Sequence, residues 1–316
     1  MIEVDHLSKD YGQVMAVNDI SFRVGKGEIV GFLGRNGAGK STTIRILTTY
    51  LPATSGIARV AGFDVMTQSM EVRQNIGYLP ENVPLYNEMR VVEYLDYRAK
   101  LKGVERHERA RRIEEAMDRC RIREVRQRLI GTLSRGYRQR VGLADSLSHR
   151  PPVLIMDEPT SGLDPLQIRE TLQTIKDLAA EHTILFSTHI LAEVEAICQR
   201  MIVIHKGRLL ADQTMAELTR DEARHLTIEV KGPVDTITAA LKSLPGVSRV
   251  SVRSDQEGWL ELDVRVAERA DPREAIFHEV VKHHGSLRRL ETRRRRLDDY
   301  FYDLIRRADE AAVAAA

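Results

Sequence analysis

The octet GRNGAGKS, Gly34 to Ser41, has the spacing G-x-x-x-x-G-K-[ST]. A phosphate chain needs many donors crowded around it, and a glycine-rich turn lets successive backbone N–H groups point inward. A helix opening at Gly39–Lys40 aims the positive end of its dipole at the same anion. On this reading Gly34, Arg35, Asn36, Gly37, Ala38, Gly39, Lys40, Ser41 and Thr42 hold the phosphates of a nucleoside triphosphate. Lys40 neutralises the β- and γ-phosphates, and Ser41 ligates Mg²⁺. The segment VLIMDEPTSGLD, residues 153–164, supplies the acids. Its four leading apolar residues suit a strand buried on both faces, whose carboxyl end opens on the ligand crevice. Asp157 then ligates Mg²⁺, directly or through water. Glu158 reaches the attacking water as a general base. A third stretch, LSRGYRQR (Leu133 to Arg140), puts Ser134 and Gly136 at the start of a helix suited to gripping an anion. The bulky Arg135 between them asks for an explanation.

These residues need a scaffold of strands whose ends converge. IEVDHL and ISFRV read as short strands near the start, EIVGFLG as an apolar strand entering the glycine loop, and STTIRILTTYL as the helix leaving it. Residues 88–101, 105–128 and 137–148 read as helices. PPVLIM and TILFS read as strands, LAEVEAICQ as a helix, and MIVIHKGRLLA as a hairpin turning at Lys206-Gly207. Alternating strands and helices imply a parallel sheet under helical cover. The pattern changes near residue 221. HLTIEVK, PVDTITAALKSL, VSRVSVR, WLELDVRV, PREAIFHEVVKHH and SLRRLETR follow in the order β-α-β-β-α-β, a ferredoxin-like arrangement, with a turn at SDQEG. A last helix, LDDYFYDLIRR, runs into AAVAAA, expected to fray. The expected division is 2–220 and 221–316.

The totals narrow the possibilities. The 316 residues suit two domains. Lys plus Arg is 48 against 46 Asp plus Glu, a formal charge of +2, which argues against a chain built to coat nucleic acid. No apolar run reaches the roughly 18 residues that span a bilayer, and the start MIEVDHLSKDYG lacks a secretory signal pattern. Cys120 and Cys198 fit no metal or redox spacing and read as free thiols of a reducing cytosol. In HERARRIEEAMDRCRIREVRQR, six acids between residues 105 and 128 interleave the arginines. Pairing along a solvated helix face is the default there. RRLETRRRRL, residues 288–297, reads as a solvated strand edge, with nucleic acid or anionic lipid as the alternative. The ten histidines, His283-His284 included, show no metal spacing.

Taken in order, GRNGAGKS, IGYLPEN, LSRGYRQR, VLIMDEPTSGLD and STHI make residues 1 to about 220 resemble the ATP-binding subunits of ABC transporters. The resemblance implies a P-loop ABC-type α/β fold, a mixed sheet with a helical subdomain, followed by the small α+β domain. It implies ATP and Mg²⁺ as ligands. It also implies a head-to-tail homodimer, or a dimer with a paralogous subunit, enclosing two ATP molecules. In that arrangement Ser134 and Gly136 would contact the γ-phosphate held by the partner, and Asp164 would lie in the loop crossing the interface. His189 would touch the γ-phosphate of its own subunit, and Tyr11 would stack on adenine or else serve as a core aromatic. Three positions depart from the family pattern. Arg135 stands at a usual glycine, and Tyr137 at a usual glutamine. Glu81 stands where a glutamine contacts Mg²⁺ and couples to the membrane partner; glutamate can also ligate Mg²⁺. The motif set looks most like ABC-2-type exporters of the gliding-motility-like branch. That implies a subunit on the cytoplasmic face of the membrane, attached through a separate transmembrane permease.

Two other classes remain at this point. A soluble ABC-type mechanical ATPase acting on a macromolecular complex is disfavoured by the single phosphate loop. The 92 residues between Ser41 and Ser134 also leave no room for a long coiled coil. A low-turnover nucleotide-binding regulator is suggested by Glu81 and Arg135, and opposed by intact Lys40, Asp157, Glu158 and His189.

Overall fold

Burial of apolar strands around one glycine loop organises the N-terminal part of the chain. The structure, a computed structural model, describes residues 1–220, 224–256, 258–267, 271–293 and 297–314. It divides into two units, Met1–Met215 and Ala216–Ala316. The position 221, where the sequence pattern changes, lies outside the described residues.

In the first unit the chain begins with β1 (Ile2–Asp10), β2 (Met15–Val24), β3 (Ile29–Leu33), α1 (Lys40–Leu47), β4 (Ser55–Val60) and β5 (Phe63–Asp64). It continues with α2 (Ser69–Asn75), β6 (Ile76–Leu79), α3 (Val91–Leu101), α4 (Arg106–Arg119), α5 (Arg135–Leu147) and β7 (Val153–Asp157). Then come α6 (Pro165–Leu178), β8 (Thr183–Thr188), α7 (Leu191–Ile197), β9 (Arg200–His205) and β10 (Arg208–Thr214); α8 (Met215–Arg220) begins at the boundary and runs into the second unit. Two sheets result. One has the order β10-β9-β3-β8-β7-β6, parallel throughout except for the β9–β10 hairpin. The other is antiparallel, in the order β2-β1-β4-β5. A continuous apolar core gathers Val4, Phe22, Phe32, Ile44, Leu47, Ile155 and Ile202 from both sheets and from α1. Every residue of β3, β7 and β8 is buried, as expected for parallel strands covered on both faces.

One expected helix is shorter than its charge pattern suggested. The segment expected to be helical over 105–128 stops at Arg119; Arg121 adopts φ 53°, and a short 3₁₀ turn, Arg123–Val125, follows. The break buries Ile122 and Val125 beneath the solvated arginine face, which a straight helix would not do. The arginines of α4 are ion-paired as the interleaved acids implied: Arg111 with Glu108 and Glu115, Arg112 with Glu108.

The second unit holds β11 (Arg224–Lys231), α9 (Val234–Lys242), β12 (Val247–Gln256), β13 (Trp259–Val266), α10 (Arg273–Lys282), β14 (Ser286–Arg293) and α11 (Leu297–Ala314). The antiparallel order β12-β13-β11-β14 is that of a ferredoxin-like sheet. Of the basic run 288–297, residues 294–296 lie outside the described residues, as does Glu257 of the expected turn. Arg288 donates to Glu229 at 2.5 Å and stacks over Trp259 at 4.6 Å, while Arg289 donates to Glu291 at 2.8 Å. The expected fraying at 311–316 is not seen as far as Ala314, where α11 ends; 315–316 lie outside the described residues. Alanine's high helix propensity accounts for the longer helix.

One buried cluster ties the helical part of the first unit to the sheet. Asp145 of α5 accepts from Arg98 of α3 at 3.1 Å and from Lys102, which caps the end of α3, at 2.8 Å. Beside it, His149 Nε2 bonds the Ile76 carbonyl at 2.9 Å at the start of β6, the strand that delivers Glu81. Burial, helped by the Lys102 charge, pushes His149 down to about 4. The imidazole is therefore neutral in the fold and donates to that carbonyl. Its folded value lies below the unfolded one, so its contribution is complete above about pH 6.5 and fades as pH falls toward 4. We expect His149→Gln, which retains a neutral donor, to remove on the order of 1–3 kcal/mol of the wild type's stability loss between those limits. Urea unfolding of both proteins at pH 7 and pH 4.5 tests this; parallel losses would exclude His149 as the cause.

Candidate nucleotide site

The sheet brings the chemistry together at the carboxyl ends of β3, β7 and β8. Gly39, which caps α1, takes φ 109° and leaves no room for a side chain: a Cβ there would lie 2.6 Å from the Ala16 carbonyl. The turn therefore closes only on glycine. It directs Lys40 inward, where its ammonium donates to the Gly34 carbonyl at 2.7 Å and lies 3.2 Å from Glu158 Oε1. Ser41 Oγ donates to Asp157 Oδ1 at 3.3 Å. His189 Nδ1 meets Glu158 Oε2 at 2.8 Å. A cleft of about 740 Å³ opens over these groups. Asn36 to Thr42, Tyr11, Glu81, Glu158 and His189 line it, together with Val14, Met15, Ala16, Ser161 and Lys206. Gly34, Arg35 and Asp157 stand behind that lining; the two carbonyls face Lys40, and Asp157 faces Ser41.

Tyr11 is not a core aromatic. Its ring is half exposed at the cleft, with the Lys9 ammonium 5.3 Å from the ring centre. Ser134, Gly136 and Asp164 are not among the cleft residues. Ser134 caps α5, accepting from Tyr137 N at 3.4 Å, and Asp164 caps α6, accepting from Gln167 N at 2.9 Å. Ser134 and Asp164 are both exposed.

Glu158 is held in an unusual conformation. Its φ of 47° lies in the left-handed region, which costs a non-glycine residue about 1–2 kcal/mol. The surroundings over-determine it, since its N–H lies 3.0 Å from Ser187 Oγ and 3.2 Å from the Ser187 carbonyl. Ser187 also donates its hydroxyl to Asp157 Oδ1 at 2.6 Å. Asp157 and Ser187 are direct register partners in the parallel pair β7–β8. Behind the site, buried Glu193 accepts at 2.6 Å from both Thr160 and Thr188, joining the segments that carry Glu158 and His189. Burial holds its carboxyl above the usual range, and the nearby Glu158 adds to that rise. Sequence reading missed Ser187 and Glu193. Ser187 lies in TILFS, read as a strand, and opens the family motif STHI, but its own role appears once the strands are in register.

The residues fit a magnesium ion. Ser41 and Asp157 offer hard oxygen donors side by side, and Glu81 lines the same cleft. Glu158 Oε1 is buried with an ion-pair partner and no aligned hydrogen-bond donor. Among the described residues, no cluster of three or more His, Cys, Asp or Glu forms a cage. Mg²⁺ needs none, because it is usually held by one or two carboxylates with water and substrate phosphates.

The ABC transporter family profile matches residues 17–161. Over 307 residues the chain is 32% identical to the linearmycin resistance ATP-binding protein LnrL of Bacillus subtilis (strain 168), covering 96% of this chain and 98% of that protein. It is 35% identical over 232 residues to the bacitracin transport ATP-binding protein BcrA of Bacillus licheniformis, covering 73% of this chain and 75% of the relative. A solved structure described as the ATP-binding subunit of an ABC transporter superposes with a TM-score of 0.64 at 32% identity, over 70% of this chain and 92% of the other.

Ser187 supports both acids, so Ser187→Ala should weaken metal-dependent turnover roughly 10–100-fold and shift the Mg²⁺ requirement upward. A Mg²⁺ titration of nucleotide hydrolysis checks it. A titration curve coincident with that of the wild type would show that Asp157 needs no such support.

Proposed function

This chain belongs to the ABC transporter family of ATP-binding proteins and is an ATPase of that family, and from this premise we propose that it is the engine of an ABC-2-type exporter. Two copies close around two ATP molecules, and a separate transmembrane permease carries the cargo. Among the described residues, no helix is long and apolar enough to cross a membrane. Relatives named for linearmycin resistance and bacitracin transport support movement of a compound out of the cell or its membrane. On this reading the subunit works at the cytoplasmic face.

One observation carries the reading: Lys40, Ser41, Asp157, Glu158 and His189 converge on one cleft through a chain of direct contacts. Asn36 to Thr42 would wrap the phosphates with backbone donors, and Tyr11 would pack against the base. Ser41, Asp157 and Glu81 would hold Mg²⁺, which supplies positive charge to the phosphate oxygens. Lys40 is paired with Glu158. When triphosphate enters, Lys40 exchanges that carboxylate for phosphate oxygens, and Glu158 becomes available to a water molecule. Glu158 takes a proton from that water as its oxygen bonds to the γ-phosphorus. The bond from phosphorus to the bridging oxygen breaks, giving ADP and inorganic phosphate. His189, fixed on Glu158 Oε2, orients the carboxylate and reaches the γ-phosphate side of the cleft. Ser134 and Gly136 of each copy would close over the nucleotide of the other, with Asp164 at the interface.

Glu158→Gln keeps shape and removes the base. We expect ATP hydrolysis to fall about 10²–10⁴-fold while ATP binding persists. The variant should form a dimer with ATP that is absent with ADP, read by light scattering after size exclusion. Equal turnover of wild type and variant would remove Glu158 from the base role. In a separate measurement, Lys40→Ala should abolish ATP binding; retained micromolar affinity would refute the phosphate contact.

A further inference from the structure

Arg135 stands where the reading above needs only small groups, and the structure shows where its side chain goes. A Cβ built on Gly162 would lie 2.4 Å from Arg135 Cζ and 2.5 Å from Nη1. The guanidinium thus occupies the space above Gly162 of the same chain. Gly162 itself takes φ 70°, so glycine is favoured there by conformation as well as by space. One residue after Arg135, the Gly136 backbone is pressed onto the Gln167 side chain: a Cβ at Gly136 would be 2.3 Å from Gln167 Oε1. Further along α5, Arg140 ion-pairs with Glu170 of α6. Residues 135, 136 and 140 therefore meet 162, 167 and 170: the first two points are close packing and the third is an ion pair. On the cleft side, Ser161 Oγ reaches Glu81 Oε1 at 3.4 Å. Glu81 and Arg135, two positions that depart from the family pattern, bear on the adjacent residues Ser161 and Gly162.

We propose that Arg135 is a positioning residue that locks the Ser161–Asp164 turn of its own subunit to the start of α5. Ser134 and Asp164 then form one rigid edge, and the two groups expected to face a partner subunit move together. Arginine suits this task better than lysine. Its guanidinium is flat and weakly hydrated on its faces, so it can lie against a peptide, whereas an ammonium is a compact, strongly hydrated point charge. Arg135 does not line the nucleotide cleft, so nucleotide capture by one subunit does not depend on it. The assembly of two subunits does. This inference rests on the paired-subunit reading given above. The rival role for Arg135 is a bare cation directed at the partner's nucleotide, and that role is indifferent to Gly162.

Two measurements on the full chain decide it. The first is a thermal double-mutant cycle without nucleotide. Arg135→Ala should lower Tm by roughly 2–4 °C when Gly162 is present. It should lower Tm no further in a Gly162→Ala background, where the added methyl has already displaced the guanidinium. Equal losses in both backgrounds overturn the contact. The second is the ATP concentration that gives half-maximal dimer in a Glu158→Gln background. Arg135→Ala and Arg135→Lys should each raise it about fivefold. Nucleotide affinity of the single subunit should stay within about twofold. If Arg135→Lys restores the parent value, the residue acts as charge alone and the positioning role falls. If the Glu158→Gln parent forms no ATP-dependent dimer, the proposed function fails, while the first measurement still decides the contact.

Discussion

The buried pair between Lys40 and Glu158 is the interaction on which the site depends. The two charged atoms lie 3.2 Å apart, and the side chains are 6% and 10% exposed. Neither charge would be tolerated there alone, since removing one partner of a buried pair is costly. The pair is also long-range. Lys40 follows β3 and Glu158 follows β7, and β8 lies between them in the sheet. Two inter-strand spacings, about 10 Å, separate the strand axes. The long, flexible lysine closes that gap, and Gly39 points it the right way. A phosphate that takes the lysine must replace a carboxylate already in place. The two side chains thus balance one another's charge within the chain, and on the proposed reading a triphosphate would take Lys40 in exchange for that carboxylate. Such an exchange would link capture of the phosphate to release of the proposed base.

The surroundings of Glu158 keep that exchange local. Its left-handed backbone is fixed by Ser187 from the neighbouring strand, and its second oxygen is fixed by His189. Glu193 joins the flanking threonines from behind. Burial holds the Glu193 carboxyl above its usual range, and the two threonine hydrogen bonds oppose that rise. Strain at one residue is therefore balanced by hydrogen bonds to Ser187 and His189, the pattern expected where geometry serves chemistry.

The parts legible in the sequence were contiguous ones. Gly34 to Ser41 forms one turn, and Asp157-Glu158 ends one apolar run, so spacing along the chain equals spacing at the site. The strand order was less legible. The early strands were recognised, but their separation into a second, antiparallel sheet depends on pairing between β1 and β4 across a helix. Ser187 was invisible because its importance comes from register with Asp157, thirty residues away in sequence. The end of α4 was misjudged for a different reason. No glycine or proline marks it, and the charge pattern continues unbroken to residue 128. The helix stops because Ile122 and Val125 have an apolar surface to reach. Arg135 shows the same limit: its type was evident as a departure, but its destination on Gly162 is a tertiary fact.

Exposure separates the functional residues into two sets, and the separation bears on assembly. Lys40, Asp157 and Glu158 are buried in one chain, with their partners supplied by that chain. Ser134 and Asp164 are exposed helix caps, and Leu166 between the caps' helices and solvent is 66% exposed. A helix N-terminus favours an anion, yet these two ends do not line the chain's own cleft. A triphosphate bound only by the glycine loop would keep one side toward water, where donors are weakly held and charge is screened. On the proposed paired-subunit reading, these caps and the glycine-loop cleft would be the two halves of one site. A second copy is the simplest surface that presents each half to the other, because a two-fold arrangement makes both pairings at once.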